Sequence, residues 1–414
     1  MNAIKHNLII GGVYLRAIFW IVLIIIILLL LLRLDYSLGR KSHLKKQEDE
    51  EFPLRDSNIS LYSTGETLFN DLFTDIRNAK EHVHVEFYIL QDDDFSKGFV
   101  SLVKQKAEQG VKVRLLLDWV GSHNVTKEME KDLTRSGVSL AYSNKPKFPY
   151  LFYKLNARNH RKISVIDGNI GYIGGFNIGK EYLGEDPKFG FWRDYHLKLT
   201  GEGVADLQTQ FLKDWYGATK EEIENRNAYY PPLPIGKSKT RLISTNGAYL
   251  EGQFMNMIKQ AEHEIIIGSP YFVPSEQLKE ELKNAVKRNV RIHILLPKKP
   301  DHPLVKEAAI PYMDELSKLG IQFHMYTRGF YHAKVICIDD KLCDIGTANF
   351  DKRSLYSNYE INCYIHDKEV IQEVKNMVTE DFKTSNELTR DRIEELKTEN
   401  KLKIKIATWV SHFL

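Results

Sequence analysis

The chain has 414 residues, 43% hydrophobic and 27% charged, with a formal net charge of +3. These values exclude a disordered, collagen-like or polytopic membrane chain and leave room for roughly two to three domains. The mild positive balance is no nucleic-acid signature, so anion binding must come from local clusters.

Residues 17–32 read AIFWIVLIIIILLLLL between Arg16 and Arg33. Extended to about residues 13–34, with both arginines snorkelling, this stretch can form one membrane helix. The following RLDYSLGRK holds no small-x-small cleavage pattern, so residues 1–35 are expected to stay as an anchor. Lys5 and Arg16 precede the span, whereas Arg33, Arg40, Lys41, Lys45 and Lys46 follow it, which favours a cytoplasmic C-terminal side. Residues 36–56 read as a polar tether.

Two segments then alternate strand-like and helix-like patterns. In residues 57–225 the strand-like runs are HVHVEFYIL (82–90), GVKVRLLLD (110–118) and GVSLAYSN (137–144). In residues 241–385 they are HEIIIGSPYF (263–272), NVRIHILLP (289–297) and GIQFHMYT (320–327). The breaker-rich stretch at 226–240 reads as a linker. The expected fold class is α/β, with two pseudo-symmetric α/β/α halves.

Each half carries one template at identical spacing. The first copy is His160-Arg-Lys162, four residues, Asp167, six residues, Gly174-Gly-Phe-Asn177. The second is His332-Ala-Lys334, four residues, Asp339, six residues, Gly346-Thr-Ala-Asn349. Alternate strand residues share a face, so each histidine points with its lysine. That pair suits a phosphate: lysine neutralises the oxyanion while histidine attacks or shuttles a proton. Asn177 and Asn349 can donate to the same anion. Asp167 and Asp339 sit at the turns, where turn chemistry or an ion pair is the plainer role and direct chemistry the sharper one. Asp194, in FWRDYH, and Glu360, in NYEIN, are candidates to orient the histidines.

Weaker signals lie nearby. His82, His84 and Glu86 alternate on one strand face and read as a polar wall rather than a metal site. Arg158 and Arg161 flank His160, either as a solvated turn or to attract an anionic headgroup. Cys337, Cys343 and Cys363 form no CxxC pair and no disulfide framework; they read as small buried residues in a reducing compartment. In the tail, residues 386–414, a helix would put Leu402, Ile406, Trp409, Val410 and Phe413 on one face, for a membrane surface or for packing on the second half.

The doubled motif resembles the phospholipase D superfamily, whose two HKD motifs form one active site. GGFNIGKEYLGEDPKFGFWRDYHLKLTG, SPYFVPSEQL, LLPKKPDHPLV, GFYHAK and GTANFDKRS are similar to the bacterial cardiolipin synthases in particular. The resemblance implies two phospholipase D-like halves, a bacterial cell-membrane location and a metal- and cofactor-free phosphatidyl transfer. The implied substrate is phosphatidylglycerol, met at an anionic membrane surface, without nucleic acid or an obligatory protein partner. His160, Lys162, Asp167, His332, Lys334 and Asp339 are the implied catalytic set. Water as acceptor would give a hydrolase or nuclease instead, and a third class is a tethered anion-binding protein without catalysis.

Overall fold

The computed structural model describes residues 2–47 and 51–411. In chain order the elements begin with α1 (Asn2–Leu44), β1 (Arg55–Tyr62), α2 (Gly65–Asn78), β2 (His82–Phe87), α3 (Asp94–Glu108) and β3 (Lys112–Asp118). They continue with α4 (Lys127–Arg135), β4 (Ser139–Ser143), α5 (Leu151–Asn156), β5 (Ile163–Ile166), β6 (Ile170–Gly174), β7 (Phe191–Arg193), β8 (His196–Gly201) and α6 (Gly203–Thr219). The second copy holds β9 (Ser238–Asn246), α7 (Leu250–Lys259), β10 (Glu264–Gly268), β11 (Phe272–Val273), α8 (Glu276–Lys287) and β12 (Arg291–Pro297). After these come α9 (Val305–Ser317), β13 (Gln322–Tyr326), β14 (Gly329–Tyr331), β15 (Val335–Ile338), β16 (Leu342–Gly346), β17 (Phe350–Asp351) and α10 (Lys352–Tyr356). The chain ends with β18 (Tyr359–Ile365), α11 (Lys368–Lys383), β19 (Ser385–Glu387), α12 (Arg390–Glu399) and α13 (Lys401–Val410).

Two compact units result. One comprises residues 1–48 and 146–156 and so contains α1 and α5; the other comprises 49–145 and 157–414. Within the first, the Tyr153 N–H donates to Asp35 Oδ1 at 2.9 Å, and Tyr36 packs edge-on against Tyr153. Gly39 permits this approach, since a Cβ there would come 2.5 Å from Tyr153 Cβ. From Leu15 onward α1 is long and apolar enough to cross a membrane. It runs well past the expected end at residue 34, so the first part of the expected tether is helix.

The second unit is built on one 15-stranded sheet, ordered β19-β13-β12-β10-β15-β16-β18-β9-β1-β8-β6-β5-β2-β3-β4. Outward from the central antiparallel β9–β1 pair, both arms run through the same series of strands, so the sequence repeat is a pseudo-two-fold repeat in space. In each arm the hairpin bearing the motif (β5–β6, β15–β16) is antiparallel, while β2–β3–β4 and β10–β12–β13 are parallel. Parallel strands covered on both faces read as near-continuous apolar runs, as LLL (115–117) and ILL (294–296) do. Helices with an apolar stripe cover them. In α8 the stripe is Leu278, Leu282 and Ala285, and Ser275 caps the first turn by accepting from the Leu278 N–H at 3.1 Å.

The tail packs on the second half: β19 joins the sheet edge antiparallel to β13, and α12 buries Ile393 and Leu396 in the second core. One expectation changes here. Cys337 and Cys343 lie directly opposite each other on β15 and β16 and form a disulfide, while Cys363 is free and buried. A hairpin register, rather than a CxxC spacing, brings the two sulfurs together, and it removes the cysteine argument for a reducing compartment.

Candidate active site

Two short parallel pairings across the pseudo-dyad build the site. Strand β7 pairs with β14 so that Arg193 faces Tyr331. An isolated parallel bridge sets Asn159 against Tyr359. In both cases the next residues along the two segments are a histidine and a carboxylate. The His160 N–H donates to Tyr359 O at 2.9 Å, and the His332 N–H to Arg193 O at 2.7 Å. His160 Nδ1 then lies 2.9 Å from Glu360 Oε2, and His332 Nδ1 lies 2.5 Å from Asp194 Oδ2. Each half supplies the carboxylate for the other half's histidine.

The carboxylates are held apart from their histidines as well. Glu360 also accepts from Thr347 Oγ1 at 2.6 Å and Ser354 Oγ at 2.9 Å. Asp194 accepts from the Tyr195 N–H at 2.8 Å. The position matching Thr347 is Gly175, where a Cβ would sit 2.0 Å from Asp194 Oδ1. The template's glycine therefore makes room for one carboxylate, whereas its threonine bonds the other. Thr347 and Ser354 escaped the sequence reasoning, although both lie in GTANFDKRS.

Both lysines are buried. Lys162 Nζ donates to His160 O at 2.7 Å, and Lys334 Nζ donates to His332 O. Lys334 Nζ is also 2.7 Å from His332 Nδ1. That nitrogen cannot both accept from lysine and donate to Asp194, and the shorter aspartate contact identifies it as a donor. With Nδ1–H committed to a carboxylate on each ring, the Nε2 lone pairs are left for chemistry.

Burial governs the electrostatics. It pushes His160 down to about 4, against the pull of Glu360, and His332 down to about 4, assisted by Lys334. Burial also lowers Lys162 to about 7 and Lys334 to about 8. Burial alone would raise Glu360 and Asp194. Instead the histidine and lysine on each hold both carboxyls below the ordinary range. Near neutral pH the rings are uncharged, the carboxylates ionised, and the lysines poised to gain from a bound anion.

Asp167 and Asp339, grouped by motif with the catalytic residues, lie at the far end of their strands from the histidines and take the turn role. Asp167 accepts from the N–H groups of Lys80, Glu81 and His82 at 2.8–2.9 Å. Asp339 accepts from those of Glu262, His263 and Glu264 at 2.8–3.0 Å. Each clasps its hairpin to the start of the neighbouring strand, with φ of +51° and +52°, a region aspartate tolerates. Asn177 accepts from the Ile89 N–H at 3.1 Å and donates to Tyr182 OH at 3.1 Å; the Asn349 N–H donates to Ser354 Oγ at 3.0 Å.

Arg158 and Arg161 neither face solvent nor attract a headgroup: both are buried. Arg158 pairs with Asp118 at 3.2 Å. Arg161, in the three residues that lead into β5, points away from His160 and Lys162. Its guanidinium donates to Asp214 (2.8 Å), Ser244 Oγ (2.8 Å), Thr245 O (3.0 Å), Asn246 Oδ1 (2.6 Å) and Glu360 O (3.2 Å). His82 and His84 share Gln208, and Glu86 accepts from Asn159.

The family described as cardiolipin synthase, phospholipase D-like domain, matches residues 72–215 and 254–382. The minor cardiolipin synthase ClsB of Bacillus subtilis (strain 168) is 43% identical over 371 residues, covering 90% of this chain and 93% of that protein. A cardiolipin synthase of Oceanobacillus iheyensis is 37% identical over 355 residues, covering 84% of this chain and 73% of the relative. In fold, the chain is similar to the crystal structure of phosphatidylserine synthase from Haemophilus influenzae Rd KW20. The TM-score is 0.67 at 15% identity, over 91% of this chain and 99% of that one. With two motif-bearing halves joined in one sheet and a single site assembled across them, the chain belongs to the cardiolipin synthase family of phospholipase D-like proteins.

Proposed function

We propose that the chain moves a phosphatidyl group from one phosphatidylglycerol to another, giving cardiolipin and glycerol. The reading rests on the two histidine–carboxylate pairs exchanged between halves, in a chain of this family. His160 Nε2 attacks phosphorus, and the bond from phosphorus to the glycerol oxygen breaks as His332 protonates that oxygen. The product is a phosphohistidine. His332, now neutral, takes the proton of a second phosphatidylglycerol's hydroxyl, whose oxygen attacks the phosphohistidine and frees His160. One difficult exchange becomes two easier ones.

Burial holds His332 neutral in the free enzyme, and the negative charge of a bound phosphodiester favours its protonated form. Lys162, Lys334, Asn177 and Asn349 stabilise charge on the phosphoryl oxygens. The flanking charges of α1 support a bacterial cell-membrane location with the larger unit on the cytoplasmic side, an orientation that rests on that bias alone.

The test is lipid product analysis of the purified chain on phosphatidylglycerol vesicles with a chelator, beside a His160→Ala/His332→Ala variant. Cardiolipin and glycerol from the native chain only are expected. Phosphatidic acid without cardiolipin would make water the acceptor and the chain a hydrolase.

A further inference from the structure

Helix α13 (Lys401–Val410) presents apolar residues on both of its sides. At about 100° per residue, Ile404, Ala407 and Ser411 form one side. Ala407 is fully buried against Val273 and Ala308, and Ile404 packs on the second core. Leu402, Ile406 and Trp409 form the opposite side, spaced i, i+4, i+7, and are 72%, 46% and 72% exposed. They are the only exposed large apolar residues among the described residues after Leu319. Other surface helices of this half turn charges outward: α8 presents Glu276 and Glu280, and α12 presents Arg392 and Glu395.

Along α13 itself the charge has one sign, although Lys403 lies 3.9 Å from Glu307 of α9 and Glu399 ends the preceding helix. Residues 401–411 contain Lys401, Lys403 and Lys405 and no acidic residue. Lys401 and Lys405 border the apolar stripe and are exposed. Apolar residues flanked by lysines, with a tryptophan among them, are the composition of a helix lying in the headgroup boundary of an anionic bilayer.

The helix also adjoins the site. Lys352 Nζ donates to Ser411 Oγ at 3.2 Å, and Lys352, the first residue of α10, follows Asn349 by three residues.

We propose that α13 docks flat on an anionic lipid surface through Leu402, Ile406 and Trp409, beside the loop that carries Asn349. This rests on the reading of the chain as a lipid-transferring enzyme and names the surface from which that site draws its substrate. The sequence stripe had also included Val410, which is half-buried, and Phe413, which lies outside the described residues.

The full chain would be reconstituted in phosphatidylcholine vesicles with and without phosphatidylglycerol, each containing lipid brominated near the headgroup end of its acyl chains. The fluorescence of the Trp409→Phe chain, subtracted from that of the native chain, isolates Trp409. With phosphatidylglycerol present, at least half of that difference signal should be quenched. Quenching should weaken in neutral vesicles or high salt, and be lost in a Leu402→Glu/Ile406→Glu variant, whose altered side chains are solvent-facing. A Trp409 signal unquenched in all vesicles would overturn the proposal. So would a blue-shifted but unquenched signal, which would mean that protein covers the stripe. Because the readout needs no turnover, quenching without cardiolipin formation would overturn only the function, and cardiolipin formation without quenching only the docking.

Discussion

Glu360 and His160 are 200 residues apart in sequence and belong to opposite arms of the sheet, yet carboxylate and Nδ1 lie 2.9 Å apart. Asp194 and His332 repeat the relationship in reverse at 2.5 Å. Neither half holds a complete histidine–carboxylate pair, so catalytic competence depends on the β7–β14 pairing and the Asn159–Tyr359 bridge. In the proposed mechanism the two pairs act at different moments. Glu360→Gln removes the carboxylate charge that fixes His160 as nucleophile and puts an amide donor in place of one acceptor oxygen, and Asp194→Asn weakens the acid/base His332. Both should lower kcat by about 10²–10⁴-fold. Labelled phosphoenzyme should fail to form in Glu360→Gln and should accumulate in Asp194→Asn. The opposite pattern would exchange the histidines' roles.

The pH profile follows from the same burial. As pH falls through about 4 the histidines protonate and the nucleophile is lost. As pH rises through about 7 and about 8, Lys162 and then Lys334 lose the charge that would meet the phosphate. Because the first step needs His160 neutral and His332 protonated, the kcat/KM of the free enzyme should be bell-shaped, its basic limb set first by His332 and steepened as the lysines lose their charge. A bound phosphodiester stabilises both ammonium groups, so the basic limb of kcat should lie at higher pH. Coincident basic limbs would show that none of the site's cations, His332 or either lysine, meets the phosphate. These apparent values belong to the coupled site as a whole.

Asp339 should behave as a structural clasp. Burial raises its carboxyl, but the N–H groups of Glu264, Glu262 and His263 outweigh this and hold it below 3.8. Its contribution to stability is complete above the unfolded value near 3.8 and is lost as pH falls through the lower folded value. Asp339→Ala should cost about 2–4 kcal/mol at neutral pH, with orphaned backbone donors as the cause. Thermal unfolding measures this. The kcat of the folded fraction should stay within a few-fold of the native value, and a loss comparable to that of His332→Ala would restore a chemical role.

The repeat made much of this visible beforehand. Identical spacing from His160 to Asn177 and from His332 to Asn349 identified two halves and one phosphate-directed site, and the strands around them followed from apolar runs. Asp194 and Glu360 stood out as carboxylates in strand-like stretches. Which histidine each would meet was not legible, because that depends on parallel pairings between segments more than a hundred residues apart. Arg158 and Arg161 look like a solvated basic turn in NARNHRK, and only remote partners, Asp118 and Asp214, reveal them as buried. Cys337 and Cys343 are joined by a hairpin register that cysteine spacing does not announce.

Arg161 is the residue through which positioning and stability can be separated. It lies between His160 and Lys162, faces the other way, and ties β5's entry to Asp214 of α6, to β9 and to the Glu360 carbonyl. Arg161→Met leaves the half-buried Asp214 without its cation and should destabilise the chain by about 2–4 kcal/mol. Arg161→Met/Asp214→Leu removes both charges and should recover most of that loss. It cannot restore the hydrogen bond to Glu360 O, so the backbone that carries the carboxylate beside His160 loses one of its ties. The double variant should therefore melt near the native temperature yet show kcat reduced by about tenfold or more, with KM for phosphatidylglycerol little changed. Arg161→Lys keeps the charge but not the fork of donors, and should fall between the two in turnover. If kcat recovered together with the melting temperature, Arg161 would be part of the scaffold alone. Recovery of stability without turnover would make it the positioning residue of the first histidine.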